Sequence, residues 1–410
     1  MHAFTVIWAG QIFSLIGSAM SAFALTIWAW ESQGTATALA LVGFFNFAPL
    51  ILFSPIAGAL VDRWNRKLVM ALSDLATGVT TAIILVLYLL GVLQLWHLFV
   101  TIAFAGLFQA FQWPAYSAAI SQMMPKEQYG RASGMMSLAQ WGTGIFAPVL
   151  AGTLIGRIGL GGILTIDLVT LAIALTTLAL VVVPQPVRNA QEKKEHLLKD
   201  AGFGFRYIFQ RPSLLWLQMT FFFGNLLATI AGTLINPMVL AWTNNNATTL
   251  GTVQSAGAVG GVVGSLVLTA WGGPRRRIHG VLLGWFVTGL LGTALFGLAG
   301  GLALWMVASF FSNLVIPIVN GSNQTIWQSK VPPEMQGRVF SVRLMIAQIT
   351  APISMLAAGP LADKVFEPAM QNGGALATLF GGLFGAHAGS GMALMITICG
   401  LLMVLVGAGG

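Results

Sequence analysis

The chain has 410 residues, 57% of them hydrophobic and 7% charged, and a mean hydropathy of +0.84. That is more apolar surface than one soluble core can hide, which excludes a water-soluble globular protein and describes a polytopic membrane protein. The net charge of +8 does not indicate nucleic acid, because the basic residues lie singly or in threes between apolar runs. A single cysteine, Cys399, excludes an intramolecular disulfide framework and any multi-cysteine metal site.

A membrane-spanning helix needs about 20 apolar residues at about 1.5 Å each. Twelve runs meet this requirement: residues 4–30, 38–59, 68–91, 96–123, 132–156 and 161–183, then 214–242, 251–271, 278–297, 302–327, 339–362 and 391–407. The first run is too long for a signal peptide and has no basic leader, so it counts as a span. The expected fold is an all-α membrane protein of twelve transmembrane helices in two pseudo-symmetric six-helix bundles. Residues 1–184 form the N-terminal bundle, 185–212 a polar linker read as a solvated tether, and 213–410 the C-terminal bundle.

Two patterns support that layout. If the N-terminus is cytoplasmic, the internal connections hold Arg63, Arg66, Lys67, Lys126, Arg131, Arg188, Lys193, Lys194, Lys199, Arg206, Arg211, Arg275, Arg276, Arg277, Lys330 and Arg338. Only Arg157 and Lys364 fall outside, and Arg343 lies within a span. The halves also repeat: at an offset of 207, Pro125, Glu127, Gly130, Arg131 and Gly152 fall on Pro332, Glu334, Gly337, Arg338 and Gly359. Internal duplication with a linker is the layout of alternating-access transporters.

The polar break GALVDRWNRK (Gly58 to Lys67) between the second and third runs resembles the loop G-x-L-x-D-R-x-G-R-K of the major facilitator superfamily. Gly58, Leu60, Asp62, Arg63, Arg66 and Lys67 match, and Asn65 replaces a glycine, a change expected to survive because Asn tolerates positive φ. QIFSLIGSAMSAFAL, FQAFQWPAYSAAISQMMP, GPRRRIHGVLLGW and VFEPAMQNGGALATLFGG extend the likeness, and the Gln-Trp-Pro-Ala-Tyr and Phe-Glu-Pro-Ala-Met runs resemble the macrolide-efflux branch. In the fifth run, G-T-G-I-F-A-P-V-L-A-G (Gly142 to Gly152) resembles the antiporter signature, with Ala147 and Ala151 where glycines are usual.

This resemblance implies a major facilitator fold and a latch in which Asp62 meets the N-terminus of the eleventh helix around Gly337. Arg63, Arg66, Lys67, Arg131 and Arg338 surround that latch; local pairing of Asp62 with Arg66 or Arg131 is the alternative. Gly144, Pro148 and Gly152 are expected to pack the fifth helix against Gly257, Gly261 and Gly264 of the eighth.

The cavity is expected to be lined by uncharged groups: Gln11 and Ser14, Asn46, Gln109, Gln112 and Trp113, Gln140 and Trp141, Asn225, and Asn313 and Asn320. Such a wall suits a large amphipathic or cationic compound, with interhelical hydrogen bonding as the plainer reading of each amide.

Ionisable groups inside spans are few: Asp74, Asp167 and Arg343. The resemblance makes the third and sixth helices peripheral, so structural pairing or snorkelling is the reading for all three. No G-x-x-x-x-G-K-[ST] loop is present, so uphill transport must draw on an ion gradient. The resemblance implies proton antiport, with Asp74, Glu31 and Asp363 left open as the coupling group. No basic residue is expected centrally, which weighs against an anionic substrate.

Histidines 2, 97, 196, 279 and 387 share no face and read as interfacial or solvated, not as metal ligands. The expectation is therefore a proton-coupled exporter of macrolide-like amphipathic compounds, not an enzyme. It would work without cofactor or metal, as a monomer in a bacterial inner membrane, its partners being a small substrate, protons and lipid. Export of an endogenous product such as a catecholate siderophore, or of a lysophospholipid, is the alternative within the fold; a non-transporting scaffold or a membrane enzyme is the alternative outside it.

Overall fold

A computed structural model describes residues 2–61, 64–123, 129–181, 197–298 and 300–409, and the regular structure among them is helical. The chain divides into two compact units, Met1–Arg188 with Thr243–Ser255, and Asn189–Trp242 with Ala256–Gly410.

In unit 1, helices α1 (His2–Gln33), α2 (Ala36–Val61), α3 (Arg66–Leu89), α4 (Leu95–Met123) and α5 (Tyr129–Leu180) follow one another. The last is continuous in hydrogen bonding but broken at Gly159, whose φ of 65° and ψ of −178° belong to no helix and need a residue without Cβ. Its apolar stretch Leu138–Leu180 covers 43 residues. At ~1.5 Å each that is about 65 Å, twice the thickness of a bilayer core. Among the described residues eleven helices are long and apolar enough to cross a membrane, and because this one supplies two crossings, the twelve expected spans are all accounted for.

The α3 helix shows how such a bundle is patterned. Leu68, Leu72, Leu75, Val79, Ile83 and Val86 are exposed, while Met70, Ser73, Asp74, Thr80, Thr81 and Ile84 are buried. With lipid as the solvent, the apolar stripe faces outward and the polar groups face the neighbours α4 and α5. Ile7, Val61, Val69, Met70, Ala115 and Leu178 close the core between α1, α2, α3, α4 and α5.

Asn65 behaves differently from expectation. Its φ is −65° and its ψ 112°, extended and not left-handed, and its side-chain oxygen accepts from Leu68 N at 3.2 Å. Asn stands in for glycine there by capping α3, which satisfies one of the orphan N–H groups of the first turn.

Unit 2 opens with α6 (Leu197–Phe209) and α7 (Pro212–Trp242), and α8 (Ala247–Trp271) runs into it from residue 256. Next, α9 (Arg277–Val287) continues through a π-helical turn, Thr288–Ala294, into α10 (Leu295–Leu298). One span, Leu302–Lys330, consists of α11 (Leu302–Leu314) and α12 (Ile316–Lys330), parted just before Pro317, which has no N–H to continue the ladder. Then come α13 (Pro333–Gln348), α14 (Thr350–Leu361), a π-turn at Ala362–Phe366, α15 (Glu367–Met370), α16 (Ala377–Phe384) and α17 (Ser390–Gly409).

The linker is not simply a tether. Residues 182–196 lie outside the described set, but α6 lies in its second half and packs on α13. Tyr207 and Ile208 are buried with Leu214, Trp327, Val339 and Val342. The Tyr207 hydroxyl donates to the Lys330 carbonyl at 3.3 Å, and the Arg211 guanidinium lies 3.5 Å from the centre of the Tyr207 ring. Amphipathic periodicity in Leu197–Phe209 was the signal that could have placed this helix.

At the other end of unit 2, Glu367 accepts from Gly389 N at 3.0 Å and Met392 N at 2.8 Å. The carboxylate closes the N-terminus of α17, where orphan N–H groups and the helix dipole favour an anion. Phe-Glu-Pro-Ala-Met, notable in the sequence only as a branch likeness, is thus a fastening for the last helix.

Candidate functional site

Unit 1 holds two carboxylates inside its spans. Asp74 is 3% exposed, with Gln11 Nε2 of α1 donating to Oδ2 at 2.9 Å and Gln112 Nε2 of α4 donating to Oδ1 at 2.5 Å. Asp167, also 3% exposed, accepts from Ser18 Oγ at 2.9 Å and Thr81 Oγ1 at 3.0 Å. Gln11 and Ser18 are two turns apart on α1, as are Asp74 and Thr81 on α3, so the two stations lie about 10 Å apart along parallel faces. Each acid is held by neutral donors, and among the described residues no cation pairs with either. The sequence supplied every member of the first station without grouping them: Gln11 and Gln112 were read as cavity wall or interhelical hydrogen bonds, and Asp74 as structurally paired or a coupling candidate; the structure shows the interhelical pairing.

The remaining coupling candidates sit elsewhere. Glu31 is exposed at the end of α1, and Asp363 is half-buried in the π-turn of unit 2. Of the expected cavity residues in unit 1, Ser14 is buried, Asn46 and Trp141 are half-buried, and Gln109 and Gln140 are exposed. The side chain of Trp113 lies outside the described set.

The gate loop is only partly described. Asp62 and Arg63 lie outside the described residues, as do the side chains of Arg131 and Arg338. Gly58 ends near α2's last turn and Gly337 lies within α13. Lys67 Nζ donates to the carbonyls of Ala179 at 2.9 Å and Val181 at 2.7 Å, closing the C-terminal end of α5. Arg66 is buried at the first turn of α3.

Small residues on α5 meet α8, the helix expected, but at other positions along it. In unit 1, Thr248 Oγ1 donates to Gly152 O at 3.0 Å, Ser255 Oγ donates to Ile145 O at 2.6 Å, and Gly251 lies against the carbonyl of Pro148. A Cβ on Gly152 would stand 2.7 Å from Ala247 O. By contrast Gly257 faces Ser309 and Asn313, and Gly264 faces the Leu314 carbonyl, all on α11 in unit 2. The expectation that Gly257 and Gly264 pack on the fifth helix is therefore corrected: Gly251 does so, whereas Gly257, Gly260 and Gly264 meet α11. Gly261 is buried and Gly144 half-buried.

Unit 2 encloses two cavities that share Asn225 and Asn320 as walls. The first, about 300 Å³, is walled by Ala228, Ala231, Ile235, Trp285, Ile316 and Val319, with Thr288, Thr293, Ser312 and Asn313 as polar points. The second, about 270 Å³, is lined by Gln218, Asn323, Gln324, Phe340 and Arg343 among others. Arg343 is half-buried; Nη1 donates to Gln324 Oε1 at 2.8 Å, and the guanidinium carbon lies 5.4 Å from the Trp327 ring centre and 5.7 Å from that of Phe340. Among the described residues no carboxylate pairs with it. Asn323 is 3% exposed and its Oδ1 has no hydrogen-bond partner, and the same is true of Trp285 Nε1 on the first cavity.

Asn225, Asn313 and Asn320, expected on the wall of one cavity shared with residues of the other half, line these chambers of unit 2; Gln218, Asn323, Gln324 and Arg343 were not among the expected lining residues. Arg343, read as structurally paired or snorkelling, pairs with Gln324 and also lines the second cavity, which corrects the expectation of no central basic group. Among the described residues no three His, Cys, Asp or Glu side chains gather as metal ligands.

Helical spans, internal duplication and polar chambers within the bundles define a multi-pass membrane transporter rather than an enzyme. The family model of the Major Facilitator Superfamily matches residues 7–355, and the chain belongs to that family. It is 26% identical over 364 residues to macrolide efflux protein A of Streptococcus pyogenes, covering 88% of this chain and 90% of that one. It is 28% identical over 346 residues to the multidrug efflux pump Tap of Mycolicibacterium fortuitum, covering 81% and 82%. In fold it is similar to a bacterial homologue of the iron transporter ferroportin in an inward-facing state, with a TM-score of 0.70, 16% identity and coverage of 100% and 98%.

Proposed function

We propose that the protein is a gradient-driven exporter of amphipathic, macrolide-like compounds, working by alternating access as a proton antiporter in a bacterial cytoplasmic membrane with its N-terminus inside. The observation that carries the reading is the likeness to macrolide and multidrug efflux proteins over more than four-fifths of the chain. The distribution of Lys and Arg supports the orientation, and the apolar chamber with a few amides suits an amphipathic body. Asp74 is the group best suited to carry the proton. It belongs to α3, yet its carboxylate reaches α1 and α4, and only neutral amides hold it, so its charge can change without breaking an ion pair. Asp62 at the gate loop serves as the latch between states.

The test is accumulation of erythromycin and of cationic dyes in an efflux-deficient bacterium expressing the chain, with and without a protonophore, beside Asp62→Asn and Asp74→Asn. The expected result is lowered accumulation that the protonophore and both substitutions reverse. Unchanged accumulation of every compound with the protein present in the membrane overturns the drug-export reading; export by Asp74→Asn that still collapses with the protonophore moves the coupling role elsewhere.

A further inference from the structure

Arg343 has the features of a receptor for charge. A guanidinium inside a span is costly, and it is normally offset by a carboxylate or led to the membrane surface. Here it is on α13, half-buried, facing a chamber of about 270 Å³, and among the described residues a single amide oxygen and two ring faces hold it, leaving most of its five N–H groups unused. Nearby, the Asn323 carbonyl oxygen is buried and unpartnered, an acceptor awaiting a donor. Gln218 helps to fix the segment by donating to the Arg343 backbone carbonyl at 3.3 Å. Adjoining these groups through Asn225 and Asn320 is the apolar chamber lined by Trp285, Ile235 and Val319.

We propose that unit 2 binds an amphipathic organic anion, with its acidic group on Arg343, a neighbouring hydroxyl or amine on Asn323 Oδ1, and its apolar body against Trp285. An acid completes the guanidinium with charge-assisted hydrogen bonds, which a neutral or cationic analogue cannot do. The shared chemistry is an anionic oxygen head on an apolar chain, whether a carboxylate or a phosphate monoester. This site goes beyond the export reading and does not depend on it: binding of an acid by unit 2 stands by itself.

The experiment measures binding of dansyl-labelled undecanoate to the purified full chain in lipid nanodiscs by dansyl emission, beside its methyl ester, the corresponding amine and a dansyl-labelled alkyl phosphate. Wild type is expected to bind the acid at least about tenfold more tightly than the ester or the amine, a ratio of the size that one charge-assisted pairing produces. Arg343→Gln is expected to erase that preference while retaining ester binding, and Arg343→Lys to keep part of it, since the charge remains but the fork is lost. Retained ester binding shows that the Gln variant is folded. The phosphate arm decides which head fits better, and either preference supports an anion site.

Equal binding of acid and ester by wild type overturns the proposal. So does a preference that survives in Arg343→Gln, or failure of the folded wild type to bind any anionic probe. Acid-selective binding that Arg343→Gln erases supports the site even where the same probe is not exported from cells, and the export reading is decided by its own accumulation test.

Discussion

The two units handle charge within the spans in opposite ways. Unit 1 buries two acids and satisfies each with paired neutral donors; unit 2 presents one base to a chamber with one amide partner and leaves an adjacent carbonyl unpaired. An internally duplicated sequence has thus produced one half whose two intramembrane acids are satisfied by neutral donors and one whose intramembrane base is open to a chamber. A satisfied buried network specifies and rigidifies its surroundings, whereas an unsatisfied one carries an energetic cost that a ligand can relieve. On this contrast, Asp74 and Asp167 tie helices of unit 1 together, and Arg343 is the group proposed above to meet an acid.

The sharpest way to break the contrast is Asp74→Leu. It strips both Gln11 and Gln112 of their acceptor inside the bundle, at roughly 1–3 kcal/mol for each buried donor left unpaired. Thermal unfolding of the protein in detergent should fall by several degrees, well beyond Asp74→Asn, in which an amide can still pair with both glutamines. Equal unfolding temperatures for wild type and Asp74→Leu would show that the first station contributes no stability and that unit 1 is no more closed than unit 2.

A middle-sized effect is expected in unit 2, where a satisfied carboxylate also exists, outside the lining of both chambers. Glu367→Gln keeps the shape and removes the charge that caps α17. Anions at a helix N-terminus contribute about 0.3–1 kcal/mol when exposed and up to about 2 kcal/mol when partly buried. The substitution should lower the unfolding temperature by less than Asp74→Leu and leave acid-over-ester selectivity untouched. A change in selectivity would mean that the open chamber and the cap are one network, and that the division drawn here is too clean.

The fold was legible because membrane spans are written in composition: length, apolarity and the offset repeat of Pro125, Glu127, Gly130 and Arg131 each state it separately. Even Gly159, which joins two spans into one hydrogen-bonded run, lies between the two apolar segments read from sequence. Side-chain partners were not legible. Gln11, Asp74 and Gln112 stand on three helices, and no local pattern says that they converge. The Gly257 and Gly264 error has the same root, since a stripe of small residues announces close packing without naming the neighbour. Arg343 was misjudged because its depth from the span end fits snorkelling as well as cavity lining; only rotation about the helix axis separates them.

Asn65→Ala should have the smallest effect of all, and a different kind of result. As the cap of α3, Asn65 contributes about 1 kcal/mol through one side-chain hydrogen bond to Leu68 N. Asn65→Gly restores the residue that the resembled loop carries and loses only a few tenths of a kcal/mol in this role. If positive φ were what the loop needed, glycine would raise stability above that of the wild type. Because the residue sits at φ −65°, the expected order in detergent melts is Asn, then Gly, then Ala. An order with Gly first would return the loop to a left-handed turn, and with it the idea that α3, which carries Asp74 into unit 1, is set by the turn rather than by its cap.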